Sequence, residues 1–226
     1  LTATALDAQR LLDEVRWFDP GLRAGLLPDW ETLPYDSFSP HQDLVSERLA
    51  TLYQIQRGEL DLAIVPATTA LYRLCPPAYL AAYTFFLAAD SRLDTTALKA
   101  QLLSAGYEHV TQVVAPGEYC IRGGIIDLFP MGSPLPYRIE LFDELIETIR
   151  TFDIDTQRTL YKVKDVRLLP AREFPMDEAG RMRFRGAFRE IFEGDPSKKG
   201  VYRDVSSGIP AAGVEYYLPL FFDRVA

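Results

Sequence analysis

Glu118-Tyr119-Cys120-Ile121-Arg122-Gly123-Gly124-Ile125-Ile126-Asp127-Leu128-Phe129, followed by Tyr137-Arg138-Ile139-Glu140-Leu141-Phe142-Asp143-Glu144-Leu145, decides the fold of this chain. Short runs rich in β-branched and aromatic residues are separated by Gly-Gly and by Asp-Glu. Links this short join antiparallel strands, because a parallel return needs a dozen or more residues. More strands are predicted at 111–115 on one side, and at 145–152 and 162–168 on the other. A helix is predicted over 95–105, with Asp94 as N-cap and Gly106 as its stop. One helix beside a run of antiparallel strands is an α+β domain, and a strand over 83–87 opens it.

Side chains of a strand alternate between its two faces. Tyr137, Ile139 and Leu141 therefore share one face, expected to be the core side. Arg138, Glu140 and Phe142 share the other. A phenylalanine is out of place on a solvent face that carries Arg and Glu. Either Phe142 tucks under a loop or helix, or the strand ends before it, or it is an exposed aromatic beside an arginine, the composition of a protein–protein hot spot. Glu118, Cys120 and Arg122 alternate together on the neighbouring strand. Matching faces would join Arg122, Arg138 and Phe142 in one patch, but alternation alone does not fix that register. Gly123-Gly124 marks a turn, a bulge or a close backbone approach. Asp143-Glu144 lacks the Gly of a tight primed turn, which leaves its turn type open.

On the N-terminal side, helix periodicity covers 2–18 and 43–56, with Pro20-Gly21 and Gly58 as stops. Between them, Pro28, Pro34 and Pro40 forbid a regular helix or central strand, although the aromatics there can order the segment. A buried strand is predicted at 60–65 and a short helix at 68–74, stopped by Pro76-Pro77. Helix, strand, helix reads as the edge of a parallel α/β layer. After Pro170 a third region holds an arginine-rich helix over 178–192, a polar loop over 194–200, and an aromatic end without clear period. The predicted division is 1–78, 79–170 and 171–226.

The 226 residues are 48% hydrophobic and 12% aromatic, with net charge −8, which excludes a disordered chain. No stretch approaches the roughly 18 apolar residues of a membrane span, and the residues from Leu1 onward are not expected to be a signal peptide. Without an initiator Met, the chain is expected to be a piece of a longer protein. An acidic whole argues against a dedicated nucleic-acid binder. Cys75 and Cys120 read as free thiols of a reducing cytoplasm. Of the 24 cations, 19 are arginines, the residue suited to forked pairing with carboxylates at interfaces.

The sequence offers no active site. No Gly is followed by Lys, so there is no Gly-x-x-x-x-Gly-Lys-[Ser/Thr] phosphate loop, and there is no Gly-x-Gly-x-x-Gly. His41 and His109 sit in no zinc-ligand spacing. His41 is expected to hydrogen-bond ahead of its helix, and His109 to pack at a helix-to-strand turn. Asp13-Glu14 and Asp143-Glu144 read as solvated pairs. Arg181, Arg185 and Arg189 share a helix face, with Arg183 nearby. They form either a nucleic-acid or partner patch, or a solvated face neutralised by Glu178, Glu190 and Glu193.

Two stretches carry a family resemblance. Asp29-Trp30-Glu31-Thr32-Leu33-Pro34-Tyr35-Asp36-Ser37-Phe38-Ser39-Pro40-His41-Gln42-Asp43, with Arg48-Leu49 and Leu52-Tyr53, resembles the N-terminal region of the bacterial transcription-repair coupling factors (the Mfd family). So do Arg122-Gly123-Gly124-Ile125-Ile126-Asp127-Leu128-Phe129-Pro130 and Tyr137 to Glu144, with Phe152-Asp153. This second set is also similar to the excision-repair helicase UvrB, in which the 30–40 segment is not expected. Gly213-Val214-Glu215-Tyr216-Tyr217 fits both.

The resemblance implies a UvrB-like module: a partial, degenerate RecA-like α/β layer of P-loop helicase type, with an antiparallel α+β domain set into it. It implies that the module has lost its ATPase residues and has no cofactor. ATP and Mg would belong to a translocase motor elsewhere in the full-length protein. The middle domain would bind UvrA and bring it to RNA polymerase stalled at DNA damage, in transcription-coupled nucleotide-excision repair. The family's UvrA-contacting positions match Arg122, Arg138 and Phe142, with Glu140 orienting Arg138. The same resemblance implies a cytoplasmic, nucleoid-associated protein that reaches DNA and polymerase through other domains. It also implies that a C-terminal domain masks the UvrA surface, so the present residues alone are expected to bind UvrA constitutively. Two rival readings are an ATP-hydrolysing helicase domain and direct DNA binding through the 181–189 arginines.

Overall fold

The computed structural model describes residues 1–34 and 38–225, so Tyr35-Asp36-Ser37 of the quoted 29–43 stretch lie outside the described residues. The elements are α1 (Ala5–Phe18), β1 (Ala24–Leu26), α2 (Gln42–Arg57), β2 (Leu62–Ile64), α3 (Pro77–Tyr83), β3 (Phe85–Ala88), α4 (Thr95–Ser104), β4 (Glu108–His109), β5 (Glu118–Arg122), β6 (Ile125–Leu128), β7 (Tyr137–Phe142), β8 (Leu145–Phe152), β9 (Thr159–Val163), β10 (Asp165–Leu168), α5 (Glu178–Ile191) and α6 (Gly200–Ser206). Single-turn 3-10 helices occur at Thr69–Leu71 and Pro196–Lys198, and a longer one at Val214–Phe221. The architecture is mixed α/β, in two compact units: Ala81–Arg172, and Leu1–Leu80 together with Glu173–Ala226.

Side-chain caps start α2, α4 and α5, and Asp94 is the expected N-cap. The Asp94 carboxylate accepts from the amides of Thr96 and Ala97, and Asp177 from that of Gly180. His41 accepts from the Asp43 amide through Nδ1, the hydrogen-bonding role expected of it. Each cap satisfies amides that have no partner within the helix.

In the middle unit, six strands lie in the order β4-β5-β6-β7-β8-β9. Only β4 and β5 are parallel; β5 through β9 are antiparallel neighbours. Ile121, Ile126, Ile139 and Ile149 stand opposite one another across β5 to β8. Three of them, Ile126, Ile139 and Ile149, are at most 1% exposed. Burying each such side chain favours folding by about 1.5–3 kcal/mol, so this row fixes the register and decides which face is core. A separate pair, β3 with β10, is antiparallel.

Two strand expectations fail here. Residues 111–115 are a loop, because the Glu118 carboxylate takes the Val114 and Ala115 amides and Val113 turns inward onto Cys120, Phe129 and Phe152. The strand expected over 162–168 breaks at Lys164, and its two halves, β9 and β10, join different sheets.

In the outer unit, β1 and β2 pair in parallel, and α1 lays Ala8 and Leu12 against Ile64. Of the short helix expected over 68–74, the 3-10 turn Thr69–Leu71 forms, and Pro77 begins α3, since proline's fixed φ suits a first helical position. The end that lacks a sequence period is ordered by aromatic packing. Phe184 and Phe188 of α5 meet Phe174, Tyr202, Val205 and Phe221 in one cluster.

Trp30 is 2% exposed; it stacks on Tyr72 at 5.0 Å and takes Tyr216 edge-on at 5.2 Å. Beneath it, the wholly buried Arg48 holds Glu173 through Nε at 2.6 Å and Nη2 at 3.2 Å, and donates Nη1 to the Pro28 carbonyl at 2.6 Å. Trp30 Nε1 also donates to Glu173, at 3.1 Å. Cys75 is buried nearby in sequence terms of the same unit, and burial, with the Glu173 charge adding, pushes its thiol pKa up. A thiol reagent at pH 8 is therefore expected to label Cys75 only on unfolding, as read by peptide mass spectrometry. Fast labelling of the native chain would contradict this environment.

Candidate partner-binding site

The face of the six-stranded sheet opposite the isoleucine row carries the site. Gly123, at φ +59°, turns β5 into β6, and the next glycine lets the β7 backbone close in. A Cβ on Gly124 would stand 2.9 Å from the Leu141 carbonyl oxygen, so a side chain there would push β7 away. The link between β7 and β8 has two residues, with left-handed φ at Asp143 alone among the turn's non-glycine pair. An irregularity after the Glu140–Thr148 pair sets Leu141 opposite Ile146, so Glu147 is the extra residue on β8 and β7 keeps its alternation.

Three rows of side chains follow from this register. At the tip, Phe142 stands opposite Leu145. The next row is Arg122, Ile125, Glu140 and Thr148. The third is Cys120, Asp127, Arg138, Arg150 and Lys162. Arg122, Arg138 and Phe142 thus share one face. Phe142 is 70% exposed, with Leu145 and Ile125 partly open beside it. The alternative in which Phe142 tucks under a loop or helix does not occur.

The arginines are organised by a residue the sequence did not single out. Asp127 is 1% exposed and takes both guanidinium groups. Arg138 holds it as a fork, Nε to Oδ1 at 2.6 Å and Nη2 to Oδ2 at 2.9 Å. Arg122 adds Nη2 to Oδ2 at 2.6 Å. Arg138 also donates Nη1 to the Gln157 carbonyl at 3.1 Å and lies 5.0 Å above the Phe152 ring. The hydrogen bonds to Asp127 raise the Arg138 pKa further, so its charge is permanent.

The two cations differ in availability. The Arg138 side chain is 18% exposed, while that of Arg122 is 55% exposed. Arg122 keeps Nε and Nη1 without a partner among the described residues. Glu140 does not orient Arg138 by contact, as expected from sequence; it accepts from Thr148 Oγ1 across the strand at 2.6 Å and acts on Arg138 only through its charge. A carboxylate inside the apolar run Ile125-Ile126-Asp127-Leu128 was the sequence signal for the true orienter, because a buried carboxylate requires a cation.

The arginine-rich helix α5 is largely self-satisfied. Glu178 receives Arg181 at 2.5 Å and Arg185 at 3.0 Å, Arg183 lies 3.5 Å from Asp223, and Arg189 covers Tyr202 at 5.6 Å. Glu190 and Glu193, also expected to neutralise it, form none of these pairs. Among the described residues no cluster of His, Cys, Asp and Glu is placed to hold a metal, and no helix is long and apolar enough to cross a membrane.

A sheet with a sealed apolar face and an opposite face of organised cations beside an open aromatic has the chemistry to dock another protein. Residues 85–174 match the family described as the UvrB interaction domain. The chain as a whole is a relative of the transcription-repair-coupling factors, so the resemblance read from the sequence is shown. It is 49% identical over 218 residues to the transcription-repair-coupling factor of Escherichia coli (strain K12), covering 96% of this chain and 19% of that protein. The Haemophilus influenzae factor is 44% identical across all of this chain and 19% of its own length. The Bacillus subtilis factor is 30% identical over 174 residues, 76% of this chain and 15% of that protein. The chain thus spans about a fifth of the length of the curated relatives it matches.

Proposed function

We propose that this chain is a non-catalytic UvrB-like module that docks UvrA, and through the longer protein recruits it to RNA polymerase stalled at DNA damage. The observation that carries this reading is Phe142, open to solvent at the tip of β7 on the same face as the Asp127-bound arginines. Arg122 would take a UvrA carboxylate through its unused Nε and Nη1 as a charge-assisted pair. Arg138, locked below, would hold Asp127 and thereby Arg122 in place while adding charge. Phe142 would fill an apolar pocket on UvrA, with Ile125 and Leu145 as its rim.

On the same reading the outer unit is a remnant of a RecA-like layer, supported by the parallel β1–β2 pair and the helix packed on it. ATP, Mg, DNA and polymerase contacts then belong to other parts of a cytoplasmic translocase.

Calorimetric titration of UvrA with this chain tests the proposal. Phe142→Ala is expected to weaken binding by about 2 kcal/mol, roughly thirty-fold. The change should leave stability within about 0.5 kcal/mol, because the ring buries little in the free chain. Affinity unchanged in both Phe142→Ala and Arg122→Ala would remove the assignment.

A further inference from the structure

Arg138, Arg150 and Lys162 stand directly opposite one another on β7, β8 and the edge strand β9. Like charges in register oppose sheet formation. The row holds one carboxylate, Asp127, and Arg138 and Arg122 already occupy it. Arg150 has no hydrogen bond or ion pair among the described residues, and its Nε is buried without an acceptor. Lys162 beside it is exposed and equally unpaired among the described residues. The Nη groups are not among the buried atoms and have no acceptor among the described residues either, so they are the donors that an arriving acceptor would meet. In a chain of net charge −8, two adjacent rows with four cations and two committed carboxylates are a local inversion of sign.

We propose that Arg150, with Lys162, is a further partner-binding position that takes carboxylates of an acidic segment of UvrA, extending the docking face from β7 across β8 to β9. The inference rests on the reading that this face docks UvrA; charge complementarity names the chemistry of the docked segment. Neighbouring strands lie about 4.8 Å apart, so Arg138 to Lys162 spans roughly 10 Å. That is the reach of two carboxylates a few residues apart on one partner segment. Arg150 offers its two Nη groups end-on as a fork, a geometry that grips a carboxylate with two bonds.

UvrA is titrated calorimetrically into the parent chain and into Arg150→Gln, Arg150→Lys, Lys162→Gln and Arg122→Ala, with the Tm of each recorded. Arg150→Gln is expected to bind about tenfold more weakly while its Tm stays level or rises, because a row of like charges is relieved. Arg150→Lys, which keeps the charge and loses the fork, is expected to recover only part of the loss. Lys162→Gln, on an exposed edge and without risk to the fold, is expected to bind about threefold more weakly and to show a shallower salt dependence. Weakening by Arg122→Ala with full affinity in Arg150→Gln overturns this inference and leaves the docking face standing. Full affinity in both variants overturns the two together. A Tm that falls in step with affinity in Arg150→Gln marks a structural residue and also overturns it, and full affinity in Lys162→Gln removes the extension to β9.

Discussion

Glu173→Ala is expected to destabilise the outer unit by about 3–5 kcal/mol, the largest effect of any single substitution considered. The reason is the charge it leaves behind. Arg48 is 0% exposed and spends Nε and Nη2 on Glu173. Without that carboxylate a guanidinium stays buried with only the Pro28 carbonyl as acceptor, and the Trp30 indole loses its own partner. Removing one member of a buried ion pair has this magnitude because the survivor keeps its desolvation cost and loses its counter-charge. Replacing both, as Arg48→Met with Glu173→Leu, is expected to restore most of the loss, short of the orphaned Trp30 Nε1 and Pro28 carbonyl. Both tryptophans, Trp17 and Trp30, lie in this unit, so urea unfolding followed by tryptophan fluorescence reads it directly. A loss under 1 kcal/mol would mean the pair does not hold the unit together.

Asp127→Ala is expected to act twice, on the middle unit's stability and on UvrA binding. Two guanidinium groups converge on a carboxylate that is 1% exposed. Deleting it leaves Arg138 with a single carbonyl acceptor in a site only 18% open, and destabilises the unit by about 2–3 kcal/mol. The cost falls below that of Glu173→Ala because Arg122 is half exposed and can turn to water. That same freedom is why binding suffers. Once released, Arg122 must be re-ordered by its partner, and the affinity loss should at least match that of Arg122→Ala. In the Arg122→Ala background, Asp127→Asn should then reduce affinity by less than it does alone, the signature of a residue acting through another. Hydrogen exchange of β6 and β7 amides reports the stability change, and additive losses in the cycle would break the link between Asp127 and Arg122.

Local signals made much of this legible. Strands β5 to β8 carried period-two patterns, α4 carried a cap and a stop at its ends, and α1 and α2 carried stops. The sequence failed where long-range contacts override local pattern. Residues 111–115 look like a strand but are unpaired by the Glu118 carboxylate and by Val113 packing inward. The run at 162–168 looks continuous because a switch between sheets leaves no mark in side-chain type.

At the site, alternation was enough to place Arg138, Glu140 and Phe142 on one face. It was not enough to find Asp127 or Arg150, since each acquires its meaning only from what stands opposite it, and register is not written in one strand. The expectation that Glu140 orients Arg138 shows the difference: the nearer carboxylate in sequence lost to the nearer one in space.

The bond between Arg48 and Glu173 joins positions 125 residues apart. During synthesis the ribosome therefore delivers the whole of Ala81–Arg172, docking face included, before the counter-ion of Arg48 exists. A nascent or truncated chain stopping short of Glu173 carries all the residues of the proposed docking face together with a guanidinium that has no counter-charge for burial. On the proposed function, quality control would meet such fragments with the docking residues complete and the Arg48 site unable to close.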